Sequence, residues 1–435
     1  MRHSRRHFLK TTTLATAGGM LTFPKFAPPS ERINVALIGV RNMGFGVLKH
    51  HLDNAEVRCV ALCDVDRPLL EERAAEVTDK QGTSPKLFGD HRKLLEEKDL
   101  DAVIIGTPDH WHCHMTVDAL QAGKDVYVEK PMANTIGECN LMVQAARASG
   151  RLVQVGQQQR SNPIFREAVQ LVRNGELGEL RKIDIWANFN YGLGTKIQMD
   201  QAVPAGIDYE RWLGPAPERP FNPARFHGSW RHFWDYGGGM FSDWGVHLVD
   251  VALWALNDTY GPCSINCYGY NNSDSPKMRE TFDTQTAVFP KNDCPVHYSM
   301  TAGIQTNGMY GDSPYGLAFV GNDATLIVNR NGYRLVPEED DEQLRVPARE
   351  RGDGKESHGA HVRNFLDCIK SREQPNCPPE AGRDAAVHVH AANIAARLRQ
   401  YDLTYNFKTG RFTNYGKAND FLLPDYRKGW RLPKI

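Results

Sequence analysis

The chain has 435 residues, with 52 acidic and 52 basic side chains and nine cysteines. This length suggests two or three domains, and the balanced charge gives no indication of nucleic-acid binding. The odd number of widely spaced cysteines, without a Cys-x-x-Cys pair, excludes a disulfide framework and argues against zinc.

The N-terminus carries a targeting pattern. Residues 4–10 read SRRHFLK and precede a mildly apolar stretch from Thr11 to Phe23. This resembles a twin-arginine (Tat) export signal, although a basic, disordered N-terminus is the alternative. The apolar part is too short to span a bilayer, so we expect no stable membrane anchor. We therefore expect residues 1–30 to be signal and linker, recognised by the Tat machinery, and the protein to be periplasmic or secreted.

A strand, a glycine turn and a helix follow. Ile33 to Gly39 predicts a buried strand, residues 39–44 read GVRNMG, and a helix is predicted from Phe45 to Leu52. This context suits a dinucleotide, because a helix N-terminus presents unpaired N–H groups to the pyrophosphate. Arg41 holds the place of the fingerprint's second glycine. Its side chain must turn away, contact phosphate itself, or shift the loop.

An aspartate ends the second predicted strand. Val57 to Cys63 is followed by Asp64, 25 positions after Gly39. A carboxylate here accepts hydrogen bonds from the adenosine ribose and repels a 2′-phosphate, which favours NAD over NADP. Arg67 nearby weakens this inference. The alternative for Asp64 is a turn residue at a strand end.

Strand and helix alternate as far as residue 131, which predicts a doubly wound parallel sheet. A helix is expected at residues 66–79, strands at 101–106 and 126–128, and a helix ending near Ala122. For the His-rich residues 110–114 we expect a loop over the cofactor and no metal. Lys130, at a strand's C-terminal edge, lies where ligands bind such sheets; a solvated surface lysine is the alternative.

A second domain follows. A helix is predicted over Met240 to Leu256 after three glycines, and Asp243 and His247 share one of its faces. This spacing indicates a general-base pair, the alternative being a capping aspartate and a core histidine. Later alternating runs predict antiparallel strands, and helices are predicted at residues 358–370 and 380–400. We expect the remaining residues to wrap onto the fold or onto a partner subunit.

Several short motifs together resemble the Gfo/Idh/MocA family of NAD(P)-dependent oxidoreductases, which act mainly on sugars and cyclic polyols. They are Thr107-Pro108-x-x-x-His112, Ala119-Leu120-x-x-Gly123-Lys124-x-Val126, Glu129-Lys130-Pro131, Val155-Gly156 with Arg160 and Pro163, Asn174 to Gly178, and Trp212 to Pro217. The resemblance covers the chain after residue 31. Arg41 is the main departure from the family pattern.

The resemblance implies a Rossmann-type NAD-binding domain at residues 31–155. It also implies a C-terminal α/β domain at 156–435, with an open, mainly antiparallel sheet that binds substrate and supports a homo-oligomer. The implied cofactor is NAD, with NADP less favoured. Its expected contacts are Gly39, Arg41, Asn42, Met43, Gly44, Asp64, Thr107, Pro108, His112, Glu129, Lys130, Gln157 and Trp212.

The implied reaction is hydride transfer at a hydroxyl-bearing carbon of a sugar or glycoside. His247 takes the hydroxyl proton, Lys130 binds the oxygen, and Asp243 orients His247. Other residues expected to contact substrate are Arg160, Tyr191 and Tyr236, although the aromatic residues equally suit interdomain packing. Two alternatives stay open: an NAD-dependent glycosidase resembling the α-N-acetylgalactosaminidases of the same fold, and a non-catalytic nucleotide- or sugar-binding protein.

Overall fold

A computed structural model describes residues 32–435 except 258–262, 273–276, 292–293, 309, 312, 341–342, 345 and 353–356. The export signal predicted at residues 1–30 lies outside the described residues. Among the helices described, none is both long and apolar enough to cross a bilayer.

The first sheet has six parallel strands in the order β3-β2-β1-β4-β5-β6. Its strands are short, apolar and largely buried, as expected where helices cover both faces of a parallel sheet. They are β1 (Ile33–Ile38), β2 (Val57–Cys63), β3 (Lys86–Phe88), β4 (Ala102–Ile105), β5 (Asp125–Val128) and β6 (Val153–Val155).

Five helices alternate with these strands: α1 (Asn42–Leu52), α2 (Arg67–Gln81), α3 (His91–Leu95), α4 (Asp109–Gln121) and α5 (Ile136–Ser149). Local capping explains α2, because the Asp66 carboxylate accepts a hydrogen bond from the Leu69 N–H and Gly82 ends the helix in a left-handed conformation. Two predicted boundaries were wrong. Helix α1 begins at Asn42, before Phe45, and the His-rich residues 110–114 belong to the buried helix α4 and not to a loop.

The second sheet has ten strands in the order β18-β15-β14-β13-β7-β12-β11-β9-β19-β20. Only the β7–β12 pairing is parallel; the other neighbours are antiparallel. The ten strands are β7 (Leu180–Phe189), β9 (Cys263–Tyr270), β11 (Thr284–Lys291), β12 (Cys294–Ala302), β13 (Tyr315–Gly321), β14 (Ala324–Asn329), β15 (Gly332–Pro337), β18 (Arg349–Gly352), β19 (Leu403–Asn406) and β20 (Arg411–Phe412). Four short strands form two separate pairs: β8 (Thr195–Lys196) with β10 (Lys277–Met278), and β16 (Glu339–Asp340) with β17 (Gln343–Leu344).

Five more helices complete the fold: α6 (Pro163–Arg173), α7 (Tyr209–Leu213), α8 (Gly239–Leu256), α9 (His358–Ser371) and α10 (Pro379–Leu398). Helices α8 and α10 pack on each other, and α10 also packs against β9 and α5. Helix α9 returns to the first sheet, where Val362, Phe365 and Leu366 join the core around β1. The predicted fold class, a doubly wound parallel sheet followed by an α/β domain with a mainly antiparallel sheet, is confirmed.

The C-terminal residues wrap back onto the fold. Trp430 packs edge-on against Trp111 and His114, with ring centroids 5.3 and 5.4 Å apart. The side chain of His114 also lies 3.1 Å from the Arg431 carbonyl oxygen. Helix α4 is therefore covered by the end of its own chain.

Candidate active site

One cavity of about 490 Å³ collects most of the predicted site residues. It opens beside the C-terminal ends of β1, β2, β4 and β5 and is closed on the other side by α8 and the segment before it. This is the crevice in which ligands bind open α/β sheets. Its lining includes Gly39, Arg41, Asn42, Met43, Asp64, Thr107, Pro108, Glu129, Lys130, Tyr191, Trp212, Asp243 and His247.

The start of α1 forms the wall of the cavity at which the pyrophosphate is expected to bind. Gly39 has φ of +89°, and a Cβ on it would lie 2.8 Å from the Gly106 and Thr107 backbone. Glycine therefore lets the chain turn into α1 directly beside β4. No side chain caps α1 at Arg41, so its first N–H groups remain available, as a pyrophosphate requires. Gly44 supports this turn from behind, because a Cβ there would meet the Gly39 carbonyl oxygen.

Two aspartates follow β2 at the expected ribose position. The Asp64 carboxylate accepts hydrogen bonds from the Val40 N–H at 2.8 Å and the Asp66 N–H at 3.0 Å. Burial raises its pKa. Each carboxylate oxygen keeps further acceptor capacity for a ribose hydroxyl. The Arg41 side chain points toward these aspartates, since its Nη2 lies 2.8 Å from Asp66 Oδ2.

An ion cluster joins the two halves of the chain. Lys130 Nζ donates hydrogen bonds to Asp243 Oδ1 at 2.8 Å and to the Asp243 carbonyl oxygen at 3.0 Å. Arg231 Nε donates to the same Oδ1 at 3.0 Å. Burial by itself would raise the pKa of Asp243, but the charges of Lys130 and Arg231 outweigh it and hold that pKa far below its usual value. Asp243 is therefore ionised and fixes the position of the Lys130 ammonium.

His247 lies one helical turn beyond Asp243 and is 5% exposed. Its Nδ1 is buried without a hydrogen-bond partner in the part of the chain that the structure describes. Burial, followed by the nearby positive charges of Lys130 and Arg330, lowers its pKa well below the usual value. The ring is therefore neutral at pH 7 and can accept a proton. Asp243 was predicted to orient His247, but among the described contacts it accepts no hydrogen bond from this ring, because its carboxylate faces Lys130.

Two buried carboxyl groups complete the lining. Burial raises the pKa of Glu129 to about 7, and its Oε2 accepts a hydrogen bond from the Lys130 N–H at 3.3 Å. Burial also raises the pKa of Asp109, at the start of α4, well above its usual value. Both groups are therefore able to hold a proton near neutral pH, in contrast to Asp243.

Five predicted contacts do not line the cavity: Gly44, described above, and His112, Gln157, Arg160 and Tyr236. His112 bridges the carbonyl oxygens of Thr107 and Pro131 from within α4. The amide of Gln157 is occupied in the core by Val246 and Cys377, and its neighbour Gln158 lines the cavity instead. Arg160 forms a bidentate ion pair with Asp250, and Tyr236 lies behind Trp212 with ring centroids 4.9 Å apart.

Sequence reasoning missed four charged lining residues: Asp109, Arg211, Arg231 and Arg330. Asp109 directly follows Thr107-Pro108 and could have been included with that motif. Arg231 lies between Trp230 and His232, outside the motifs that carry the family resemblance. Arg330 lies in the turn between β14 and β15 and carries no local signal. No group of three or more His, Cys, Asp or Glu side chains suited to a metal ion occurs among the described residues.

Comparison with known proteins identifies the family. Residues 33–157 match the model of the Gfo/Idh/MocA oxidoreductase family, NAD-binding Rossmann fold, and residues 165–276 match the C-terminal alpha/beta domain of the same family. Together the matches cover more than half of the chain. The chain belongs to the Gfo/Idh/MocA oxidoreductase family. The group that the glycine turn and α1 are built to hold is therefore a nicotinamide dinucleotide.

Two curated relatives are named as glycoside hydrolases. The chain is 31% identical over 206 residues to a glycosyl hydrolase family 109 protein of Shewanella pealeana, across 41% of this chain and 45% of the relative. It is 28% identical over 203 residues to an alpha-N-acetylgalactosaminidase of Shewanella oneidensis, across 40% of this chain and 44% of the relative. Each match spans less than half of the relative's length.

Solved structures agree on the fold. An aldose-aldose oxidoreductase from Caulobacter crescentus, complexed with glycerol, superposes with a TM-score of 0.63 over 86% of this chain and 100% of that chain. Its sequence is 20% identical, so this similarity supports the architecture alone.

Proposed function

We propose that this protein is a nicotinamide-dependent oxidoreductase that acts on a hydroxyl-bearing carbon of a sugar or glycoside. One observation carries the proposal: Lys130, held by Asp243, and the neutral His247 line the same cavity as the N-terminus of α1. An ammonium group has three N–H donors, and Lys130 uses two on Asp243. The third is available for a substrate oxygen.

Lys130, His247 and Asp243 have separate roles toward the substrate hydroxyl. Lys130 donates a hydrogen bond to the oxygen and stabilises the negative charge that develops there. His247 is neutral and accepts the hydroxyl proton. Asp243 acts as a positioning residue, since it orients Lys130 and compensates its charge. When bound, the nicotinamide supplies the hydride acceptor or donor.

The test is a substrate screen with the purified full-length protein. It is incubated with NAD and a panel of sugars, polyols and glycosides, and nicotinamide reduction is followed by absorbance at fixed protein concentration. We expect reduction with at least one compound and its loss in Lys130→Ala. Sugar-dependent reduction at wild-type rate in Lys130→Ala would contradict the assignment, as would the absence of reduction with the whole panel.

A second candidate is a glycoside hydrolase that uses the same site. The family 109 protein and the alpha-N-acetylgalactosaminidase, at 31% and 28% identity, favour it. In this reaction the sugar is oxidised only transiently, so that a neighbouring C–H becomes acidic and His247 acts as the base for elimination. Free sugar would be released without net change in nicotinamide. Chromatography of the products alongside the absorbance measurement distinguishes the two reactions.

We also propose that the protein is exported through the Tat system with its nucleotide bound, on the evidence of the SRRHFLK pattern. Free NAD is expected to be scarce outside the cytoplasm, so the cofactor would be retained and regenerated within the site. Regeneration within the site would use a second carbonyl substrate, or a reaction that returns the hydride to the same molecule. Fractionation that places the mature protein in the cytoplasm would contradict export.

A further inference from the structure

The substrate side of the cavity contains an arginine, Arg330, that has no counter-ion within the part of the chain that the structure describes. Arg330 lies in the turn between β14 and β15, and its buried Nε has no hydrogen-bond partner among the residues described. No carboxylate among the described residues forms an ion pair with it. Burial lowers the pKa of this guanidinium, because a desolvated charge is unfavourable until an anion compensates it. Arginine nevertheless stays charged in proteins.

Aromatic rings hold Arg330 in place. Its guanidinium carbon lies 4.8 Å from the centroid of the Trp244 ring and 6.0 Å from that of Tyr315. Trp244 Nε1 in turn donates a hydrogen bond to the Tyr191 hydroxyl at 3.0 Å. Stacking fixes the plane of the guanidinium and leaves its N–H edge for a ligand.

The same tryptophan connects Arg330 to the reacting end of the cavity. The Trp244 and His247 rings have centroids 6.0 Å apart, and Arg330, Trp244 and His247 all line the cavity. The α1 N-terminus, where the pyrophosphate is expected, belongs to the other domain. Arg330 is therefore placed to contact the molecule that His247 deprotonates.

The local charge balance is positive. Lys130 and Arg231 share one ionised carboxylate, Asp243, and Arg330 adds a third cation. The other carboxyl groups in this part of the lining, Asp109 and Glu129, have raised pKa values because they are buried. A neutral sugar would leave this excess charge uncompensated.

We propose that the substrate is an anionic sugar or glycoside, whose carboxylate or sulfate group binds the Arg330 guanidinium. This inference rests on the proposed function and narrows it to sugar acids and sulfated sugars. A carboxylate or sulfate presents two oxygens to the parallel N–H groups of a guanidinium, and such charge-assisted pairs are the stronger class of hydrogen bonds. The sugar ring then reaches Lys130 and His247 from the Trp244 side.

The test measures binding by calorimetry to the NADH-loaded protein, without turnover. The neutral probes are the methyl glycosides of glucose and galactose. Their anionic partners are the methyl glycosides of glucuronic and galacturonic acid, and the 6-sulfates of the two neutral glycosides. We expect at least one anionic probe to bind roughly ten-fold or more tightly than its neutral partner. Preference for a uronide identifies a carboxylate, and preference for a 6-sulfate identifies a sulfate ester.

Two variants examine Arg330 itself, and a third serves as a control. Arg330→Met keeps an apolar contact on Trp244 but removes the charge, so the preferred anionic probe should bind roughly 10- to 100-fold more weakly, as for loss of a hydrogen bond to a charged group. Neutral probes should change little. Arg330→Lys keeps the positive charge without the planar guanidinium, so its affinity for the anionic probe should lie between those of wild type and Arg330→Met. Arg181→Met is the matched control, because Arg181 is 63% exposed in its side chain and lies outside the lining.

Unchanged NADH affinity and near-ultraviolet circular dichroism show that Arg330→Met is folded. Neutral probes that bind as tightly as the anionic ones in every pair, failure of every anionic probe to bind, or wild-type preference in Arg330→Met would each overturn the inference. Weaker NADH binding with intact sugar preference would assign Arg330 to the cofactor and also overturn it. Selective binding of anionic sugars without turnover of any of them would instead refute the proposed function and leave this assignment standing.

Discussion

Asp243→Asn separates the two roles that a carboxylate in this position can have. In the structure its Oδ1 accepts hydrogen bonds from Lys130 at 2.8 Å and Arg231 at 3.0 Å. Removing one partner of a buried ion pair costs about 3–5 kcal/mol. The Asn side-chain oxygen keeps an acceptor in place, so we expect the free energy of unfolding to fall by about 3 kcal/mol.

The effect on stability should depend on pH in a defined way. The folded pKa of Asp243 is depressed below its unfolded value of about 4. Its stabilising contribution is therefore fully present above about pH 4 and is lost as pH falls through the folded pKa. The difference between wild type and Asp243→Asn, measured by urea unfolding with tryptophan fluorescence, should be constant from pH 5 to 8 and shrink only below about pH 4.

Catalysis should suffer because Lys130 is no longer held toward the substrate oxygen. We expect kcat to fall by roughly 10²-fold, within the range of a misplaced catalytic group. Asp250→Asn is the matched control: it breaks the bidentate Arg160 pair, whose carboxylate is more deeply buried than that of Asp243 but lies outside the cavity, and should lose stability with little loss of kcat. Unchanged kcat in Asp243→Asn, or an equal loss in Asp250→Asn, would refute the positioning role.

Four further predictions follow from the same cavity. Lys130→Ala and His247→Ala should each lower kcat by roughly 10²–10⁴-fold in steady-state assays, with nucleotide affinity by calorimetry nearly unchanged; near-wild-type rates would exclude the assigned roles. The protein should prefer NAD(H) to NADP(H), and Asp66→Asn, which releases Arg41, should shift the ratio of their affinities toward NADP(H) by roughly ten-fold; an unchanged ratio in calorimetry would exclude this role of Arg41. Because the folded pKa of Glu129 is raised to about 7, its contribution to stability is present below about pH 4.5 and lost as pH rises through 7. Glu129→Gln should therefore gain about 3 kcal/mol over wild type between pH 5 and 8 in urea unfolding, and parallel pH curves would contradict this. Finally, protein purified from the periplasm should retain NAD through extensive dialysis, with release only on denaturation; recovery of apo-protein that needs added NAD would contradict retention.

Local patterns predicted four of the six strands of the first sheet but missed β3 and β6. Buried β-branched runs ending in glycine or a charged residue placed β1, β2 and β5, and Gly39 and Lys130 line the cavity as their positions at strand ends predict. These features depend on a few neighbouring residues and on the rule that parallel strands end at a common edge.

Contacts between distant segments were not predictable in this way. The spacing of Asp243 and His247 suggested that the two side chains bind each other, yet the carboxylate faces Lys130, 113 positions earlier. Arg160 matched a motif, but its guanidinium is occupied by Asp250. Arg330 is a turn residue whose surroundings are set by strand pairing. In each case the partner lies far away in sequence, and side-chain spacing alone cannot identify it.

Helix α9 has a consequence for how the protein is made. The core of the nucleotide-binding half contains Val362, Phe365 and Leu366 of this helix, which packs against α1. A ribosome therefore completes β1 to β6 about two hundred residues before it delivers the helix that covers them. Until then the apolar surface around Tyr127 and Leu48 stays exposed to solvent, a state in which nascent chains aggregate or recruit chaperones. A fragment that stops at residue 157 would keep that surface exposed permanently.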